Sequence, residues 1–272
     1  MSHRQRPERS VRASRRLGPA VRLAAMFLLA AVNLTGCAGG RSTGEGEKTA
    51  PTWPRLAPPA SLDLDRKLSA GFLIVDGVYN SELVAPLDIL HHTPFHTDPR
   101  PGIGVFTVSS DGETVTSFEG LRIVPDHSFA SAPPIDILVV PSAEGSMTVD
   151  LENEEMMEWV RERGADASFV VSLCDGAFVL AAAGLLDGRA ATTFPSDQDR
   201  FAEMFPEIEL MREPGFVHDG NAITSHGGAK SYDPAIYLVD LLYGEKAAKG
   251  VARGLVIDWP PAAPQETGLV VE

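Results

Sequence analysis

Cysteine is scarce in this sequence, whose 272 residues include only Cys37 and Cys174. A disulfide-rich scaffold is therefore excluded. Aromatic side chains are also few, at 7% of the residues. Glycine and proline follow no repeat, which excludes a collagen-like chain. The composition as a whole excludes a coiled coil. The remaining composition, with 44% hydrophobic residues, is typical of one globular domain large enough to bury a core.

Basic residues are scarce outside the first 36 positions. That segment holds seven arginines and one acid, Glu8, whereas residues 37–272 carry 16 basic and 36 acidic side chains. The resulting net charge of −20 over this part of the chain repels phosphate backbones. The sequence therefore predicts no nucleic-acid partner.

The basic N-terminal segment has the layout of a bacterial secretion signal. An apolar run at residues 23–32, too short for a stable transmembrane helix, follows the arginines. The next residues, Leu-Thr-Gly-Cys at 34–37, resemble the lipobox of bacterial lipoproteins. We predict a signal peptide over 1–36 and a lipid on Cys37 that anchors the chain to a membrane of the cell envelope, facing the periplasm or the cell surface. An ordinary signal peptide with an incidental cysteine is the alternative.

The rest of the chain divides into three parts. Residues 37–68 are rich in glycine and proline and predict a flexible tether, and the Pro-containing residues 259–272 predict a loose tail. Between them, residues 69–258 alternate short apolar runs with helical patterns. This alternation predicts an α/β three-layer sandwich with a mostly parallel central sheet.

The individual elements follow from the same patterns. Strands are predicted at 72–75, 105–108, 135–140, 169–173 and 222–224, and helices at 81–91, 150–163, 177–186, 197–204, 234–243 and 246–256. Asp233 and Pro234 suggest an N-cap and a first helical turn. Residues 218–221 suggest a hairpin turn.

Cys174 stands between a predicted strand and a predicted helix. A tight turn at this point would form a nucleophile elbow, in which Gly176 avoids a clash and the sulfur projects into a cleft. The N-terminus of the following helix would favour the reactive thiolate. A buried structural cysteine is the alternative, because an unpaired cysteine packs like a small hydrophobic residue.

The segment 174–193, Cys-Asp-Gly-Ala-Phe-Val-Leu-Ala-Ala-Ala-Gly-Leu-Leu-Asp-Gly-Arg-Ala-Ala-Thr-Thr, closely resembles the elbow and helix of the ThiJ/PfpI superfamily, which contains class I glutamine-amidotransferase-like domains. The nearest likeness is to isonitrile hydratases and to the amidase-like domains of AraC-type regulators. Further stretches at 82–90, 137–141 and 223–227 agree, so the resemblance spans about residues 70–258. It implies a flavodoxin-like sandwich and a homodimer.

The resemblance also implies a set of site residues. Cys174 would be the nucleophile, with Glu82 hydrogen-bonded to its sulfur and acting as general acid or base. Backbone N–H groups near Ala143, Glu144 and Asp175 would form an oxyanion site.

Two positions depart from the family pattern. The residue after the cysteine is Asp175, where related proteins carry histidine or threonine, and a carboxylate beside a thiol opposes thiolate formation. Phe194 occupies the position of a histidine that is common in this branch. His226, at the end of another predicted strand, is a candidate substitute; a loop histidine that bonds the backbone is the alternative.

Metal and cofactor chemistry are not predicted. His91, His92 and His96 lie near Asp98, but the segment contains Pro94 and no cysteine, which favours a solvated loop. The expected partner is a small-molecule substrate or ligand.

Three classes of function follow from these observations. The first is a Cys-dependent hydratase or amidase-type hydrolase acting on a small electrophile. The second is a ligand-binding or sensing module without turnover. The third is a redox or carbonyl-stress protein in which Cys174 is reversibly oxidised.

Overall fold

The computed structural model describes residues 56–261 and 267–271. The helices of this part are α1 (Asn80–His91), α2 (Glu154–Asp166), α3 (Gly176–Ala182), α4 (Gln198–Met204), α5 (Tyr232–Tyr243) and α6 (Glu245–Gly254). The strands are β1 (Leu68–Leu73), β2 (Ile103–Ser109), β3 (Val115–Thr116), β4 (Arg122–Ile123), β5 (His127–Ser128), β6 (Ile137–Val140), β7 (Phe169–Leu173), β8 (Ala190–Ala191), β9 (Glu209–Leu210), β10 (Phe216–Asp219), β11 (Ala222–Ser225) and β12 (Gly268–Val271).

The described residues build one eight-stranded sheet and two short two-stranded ladders. The large sheet has the order β12-β10-β11-β7-β6-β1-β2-β5, and every neighbouring pair is parallel except β10 with β11. The predicted mostly parallel α/β sandwich is confirmed. The carboxyl ends of β1, β6, β7 and β11, which are neighbours in the sheet, therefore meet at one edge.

Helices cover both faces of this sheet, and each face has its own apolar core. Ile137 and Val139 of β6 pack with α1, α5 and α6, whereas Leu138 and Val140 of the same strand pack with α2, α3 and α4. This alternation is the two-residue period of a strand whose two faces are buried. Trp259 belongs to the first core, together with β6's Ile137, and Trp159 of α2 belongs to the second, where its ring stacks on Phe129 at a centroid distance of 4.5 Å.

The predicted hairpin turn is present, whereas the predicted helix N-cap is not. The turn at 218–221 joins the antiparallel pair β10 and β11, as predicted, and Gly220 there has a φ of +63°. The N-cap of α5 is Ser231 rather than Asp233, so that prediction is wrong. Asp233 lies in the first turn instead, and its carboxylate is 3.5 Å from the ammonium of Lys230.

The predicted loose ends are partly corrected. Residues 268–271 form β12, which pairs in parallel with β10. Without β12, β10 would be an edge strand whose backbone N–H and C=O groups are free to bind another strand. Within the predicted tether, Leu62 is buried in the core and Leu64 packs against it. The predicted signal peptide and Cys37 lie outside the described residues. No helix in the described part is both long and apolar enough to span a bilayer.

Candidate active site

Cys174 occupies a strained turn between β7 and α3. Its φ is +54°, a left-handed conformation that is unusual for a residue with a side chain, and its N–H donates to the carbonyl of Ser225 at 3.0 Å. A Cβ at Gly176 would lie 2.0 Å from the carbonyl oxygen of Val140, so only glycine fits directly after Asp175. A Cβ at Gly227, where φ is +76°, would lie 2.3 Å from the Cβ of Cys174. The predicted elbow geometry is thus present.

Glu82 projects from the first turn of α1 into the same edge of the sheet. The residue is only 5% exposed, and its Oε1 accepts a hydrogen bond from the N–H of Gly228 at 3.2 Å. Burial raises the pKa of Glu82 to about 7, although interactions with Gly228, the Cys174 thiol and the backbone of Ser142 oppose the shift. Oε2 has no hydrogen-bond partner of ordinary geometry among the described residues. A carboxyl group whose pKa lies near 7 can both give and take a proton at neutral pH.

Asp175 does not turn away from the thiol. Its Oδ2 accepts from the Cys174 Sγ at 3.6 Å, while its Oδ1 accepts from the hydroxyl of Thr193 at 3.0 Å. The same hydroxyl lies 3.1 Å from the carbonyl oxygen of Cys174. Burial, followed by the charge of Asp197, raises the pKa of Asp175 to about 6. The thiol therefore sits between two carboxyl groups.

These surroundings disfavour the resting thiolate. Burial, followed by the charges of Glu82 and Asp175, raises the pKa of the Cys174 thiol, and the N–H of Asp175 and the side chain of Ser142 only partly offset this. Desolvation and the two nearby carboxyls oppose the thiolate, and the predicted favourable effect of the N-terminus of α3 stays a prediction. The sulfur needs a proton acceptor in order to react.

The predicted oxyanion donors are mostly engaged. The N–H of Ala143 donates to the hydroxyl of Ser146 at 2.8 Å, and the N–H of Glu144 donates to the carbonyl of Gly77 at 3.1 Å. The first bond closes the turn after β6, and the second holds that turn against the loop after β1. Of the three predicted groups, the N–H of Asp175 is the one that contacts the sulfur.

Ser142 is a site residue that the sequence predictions did not include. It is fully buried after β6, its backbone interacts with Glu82, and its side chain interacts with the thiol of Cys174. Its Oγ makes no hydrogen bond of ordinary geometry within the described residues. Its place directly after the end of β6 and Pro141, at the same edge of the sheet as Cys174, was the available indication.

His226 lies at the end of β11 but turns toward α4. Its Nε2 is 3.4 Å from Nε2 of Gln198, and the ring also interacts with the backbone of Arg212. Burial lowers the pKa of His226, so the ring is neutral at pH 7. No hydrogen bond in the described ranges joins this ring to Cys174 or Glu82. Its predicted catalytic role stays a prediction.

A cavity of about 760 Å³ is lined in part by Gly77 and Glu144, but its lining does not include Cys174 or Glu82. It opens between the carboxyl ends of β1 and β2 and the segment 144–153, and every charged residue of its lining is acidic. Its volume suits a small molecule. In the described part of the chain, no group of three or more His, Cys, Asp or Glu side chains is arranged to hold a metal ion.

The raised pKa of Glu82 has a consequence for stability. Because the folded pKa of about 7 exceeds the ordinary value of 4.5, the folded state keeps a proton that the unfolded state has already released. This stabilisation is complete below about pH 4.5 and is lost as the pH rises through about 7. The Glu82→Gln variant cannot titrate at this position. We therefore expect the difference between its free energy of unfolding and that of the unsubstituted protein to change by about 2–3 kcal/mol in favour of the variant as the pH rises from about 4.5 to about 8. Urea unfolding at both pH values measures this.

The exposed Glu207 offers a matched control. Glu207→Gln should leave the pH dependence of the free energy of unfolding unchanged. If the protein and the Glu82→Gln variant lose stability in parallel as the pH rises, the buried carboxyl is not the source of the dependence.

Comparison with known proteins places this geometry in a family. The model of the DJ-1/PfpI family matches residues 68–240, which include Glu82, Ser142 and Cys174. The chain belongs to the DJ-1/PfpI family. Like the fold, the family agrees with what the sequence resemblance implied.

Individual members of the DJ-1/PfpI family show how this chain relates to proteins of different kinds. It is 32% identical to the isonitrile hydratase of Pseudomonas putida over 202 residues, which cover 74% of this chain and 82% of that enzyme. The structure of a ThiJ/PfpI family protein from Pseudomonas syringae matches with a TM-score of 0.62 and 27% identity, over 77% of this chain and 84% of that one. The transcriptional regulator CdhR of Pseudomonas aeruginosa is 30% identical over 55% of this chain, but only 44% of the regulator is covered.

Proposed function

We propose that this DJ-1/PfpI protein is a Cys-dependent hydratase of small electrophiles, acting on an isonitrile or a chemically similar substrate. The observation that carries the proposal is the position of Cys174, whose sulfur lies on a strained elbow with the carboxyl groups of Glu82 and Asp175 beside it. The 32% identity with an isonitrile hydratase supports the choice of substrate.

The chemistry can be written with the groups present. As the Cys174 sulfur bonds to the terminal carbon of the isonitrile, the thiol proton passes through the neighbouring carboxyl groups to the same carbon, which leaves a thioimidate. Water then adds to the C=N carbon, and one of its protons goes to nitrogen. When the C–S bond breaks, the remaining hydroxyl proton returns to sulfur, and an N-substituted formamide leaves. A carboxyl with a pKa of about 7 suits these transfers at neutral pH.

The test is incubation of the full-length protein with a small alkyl isonitrile in ¹⁸O-water, with mass spectrometry of the products. We expect the N-alkylformamide with one ¹⁸O atom, and we expect Glu82→Gln to lower kcat by about a hundredfold or more. Glu207→Gln is again the control. Formation of formamide no faster than in buffer would overturn the proposed substrate.

A second candidate is a small-ligand-binding module without turnover. The raised pKa of the Cys174 thiol and the engaged N–H groups of Ala143 and Glu144 favour it, as does the similarity to part of a transcriptional regulator. In that case, calorimetric titration of the full-length protein with the same isonitrile would show saturable binding while no product forms.

We also propose a homodimer that is anchored to an envelope membrane by lipid on Cys37. The support is the family membership for the dimer and the lipobox-like residues 34–37 for the anchor. Sedimentation of the purified protein tests the dimer. The mass of the N-terminal peptide tests the lipid.

A further inference from the structure

A second carboxyl, that of Asp175, touches the nucleophile. Glu82 is held on α1 by the N–H of Gly228, whereas Asp175 directly precedes α3 and is held by Thr193. Both carboxyl-bearing residues are buried, at 5% and 7% exposure. The two groups therefore reach the same sulfur from different elements.

The hydroxyl of Thr193 faces two acceptors with only one proton to give. It lies 3.0 Å from Oδ1 of Asp175 and 3.1 Å from the carbonyl oxygen of Cys174, and it is fully buried. With Asp175 ionised, the hydroxyl can donate to only one of the two. With a proton on Oδ1, the carboxyl can donate to the hydroxyl, which can then donate to the carbonyl. The carbonyl also accepts from the N–H of Ala177 at 3.3 Å, so Thr193 can hold the Asp175 carboxyl in either protonation state without leaving the carbonyl unpaired.

The opposite oxygen of the same carboxyl meets the thiol. Oδ2 of Asp175 accepts from Sγ of Cys174 at 3.6 Å. The carboxyl thus has one oxygen within reach of the thiol proton, and its other oxygen is held by a buried hydroxyl. Such an arrangement stabilises both protonation states of one carboxyl.

We propose that Asp175 is a catalytic proton acceptor for the Cys174 thiol and that Thr193 is its positioning residue. The proposal deepens the proposed function, on which it rests for the reaction that follows. In the first step, the proton moves from Sγ to the carboxylate of Asp175 while an electron pair of sulfur forms the bond to the electrophile. The proton then leaves Asp175 for the adduct or for solvent. Asp175 thus acts as the base that the sequence lacks at position 194, where Phe194 replaces a histidine.

Other charged groups around Asp175 act on its charge from a distance. Asp197 raises and Arg200 lowers its pKa, and Glu82 and Tyr79 face it from α1 and the turn before that helix. Of these groups, none hydrogen-bonds Asp175 within the described residues. Asp197→Asn is therefore a matched control, since it removes a nearby negative charge and leaves the contact with sulfur in place.

The test follows alkylation of Cys174 by iodoacetamide in the full-length protein from about pH 5 to pH 9, with mass spectrometry of the peptide that contains Cys174. In this probe reaction, sulfur displaces iodide and Asp175 takes the thiol proton. We expect Asp175→Asn to slow alkylation at pH 7 by about tenfold or more. Thr193→Val should slow it in the same direction and shift the pH profile upward, and Thr193→Ser should restore both. Asp197→Asn should change the rate less than about twofold.

The sign of the Asp175→Asn effect on the alkylation rate distinguishes a proton acceptor from a carboxylate that only repels the thiolate. If Asp175 only repels the thiolate, its removal lowers the thiol pKa and speeds alkylation at pH 7. That result, or a Thr193→Val profile equal to the unsubstituted one, would overturn the proposal. Thr193→Ser retains the hydroxyl and guards against an effect of misfolding. Because alkylation needs no isonitrile, failure of the proposed hydratase activity is a separate result.

Discussion

Replacing Cys174 by serine is expected to lower the rate of isonitrile hydration by about a thousandfold or more. A serine hydroxyl is a far weaker nucleophile than a thiol, and the buried carboxyls of Glu82 and Asp175 would oppose its ionisation further. The substitution is nearly isosteric, so the elbow should keep its shape. The measurement is formamide formation by the full-length protein under conditions where the unsubstituted protein turns over.

The other cysteine of the chain is the control for this experiment. Cys37→Ser removes the predicted lipid site and should leave hydration by the detergent-solubilised protein unchanged. Equal activity of the Cys174→Ser variant and the unsubstituted protein would show that the sulfur is not the nucleophile.

The second large effect is expected on stability. Gly176→Ala should lower the free energy of unfolding by about 3 kcal/mol, because the added methyl would lie 2.0 Å from the carbonyl oxygen of Val140. Backbone on both sides must move to relieve this contact, and neither β6 nor β7 can shift without disturbing a buried sheet. Alkylation of Cys174 should change as well, since the elbow would be displaced. Urea unfolding gives the stability.

Gly254→Ala is the matched glycine substitution. Gly254 is exposed in the last turn of α6, and the nearest atom to an added Cβ is 3.9 Å away. This variant should be as stable as the unsubstituted protein or up to about 1 kcal/mol more stable. If both alanine variants behaved alike, close packing at the elbow could not be the reason for a change.

The sequence predicted most of the central strands because burial on both faces leaves long apolar runs, although the strand predicted at 72–75 overlaps β1 only at residues 72–73. The predicted strand at 169–173 agrees with β7 at both ends, and 135–140 contains β6. The two-residue strands β3, β4, β5, β8 and β9 were missed, since so short a segment has no period. β12 was missed for another reason: its strand state comes from the ladder with β10, a partner distant in sequence.

The same distinction holds at the active site. That Cys174 and Glu82 would meet was implied by the family resemblance, and the structure brings them together. The contact of Asp175 with sulfur depends on which way one carboxyl rotates, and the hydroxyl of Thr193, 18 residues away, decides it. The bonds that occupy the N–H groups of Ala143 and Glu144 likewise come from the folded turn. Neither kind of contact leaves a pattern in the sequence.

The two apolar cores of the sheet differ in their indole rings. Trp159 lies in the core that α2, α3 and α4 share, stacked on Phe129, while Trp259 lies in the core of α1, α5 and α6, with its Nε1 donating to Asp240 at 3.3 Å. Each layer thus carries its own intrinsic fluorophore. With Trp53 and one of the two replaced by phenylalanine, the emission of the remaining indole follows the hydration of a single layer during denaturation. Coincident emission midpoints for the two proteins would mean that the layers melt as one cooperative unit, and separated midpoints would identify the layer that opens first.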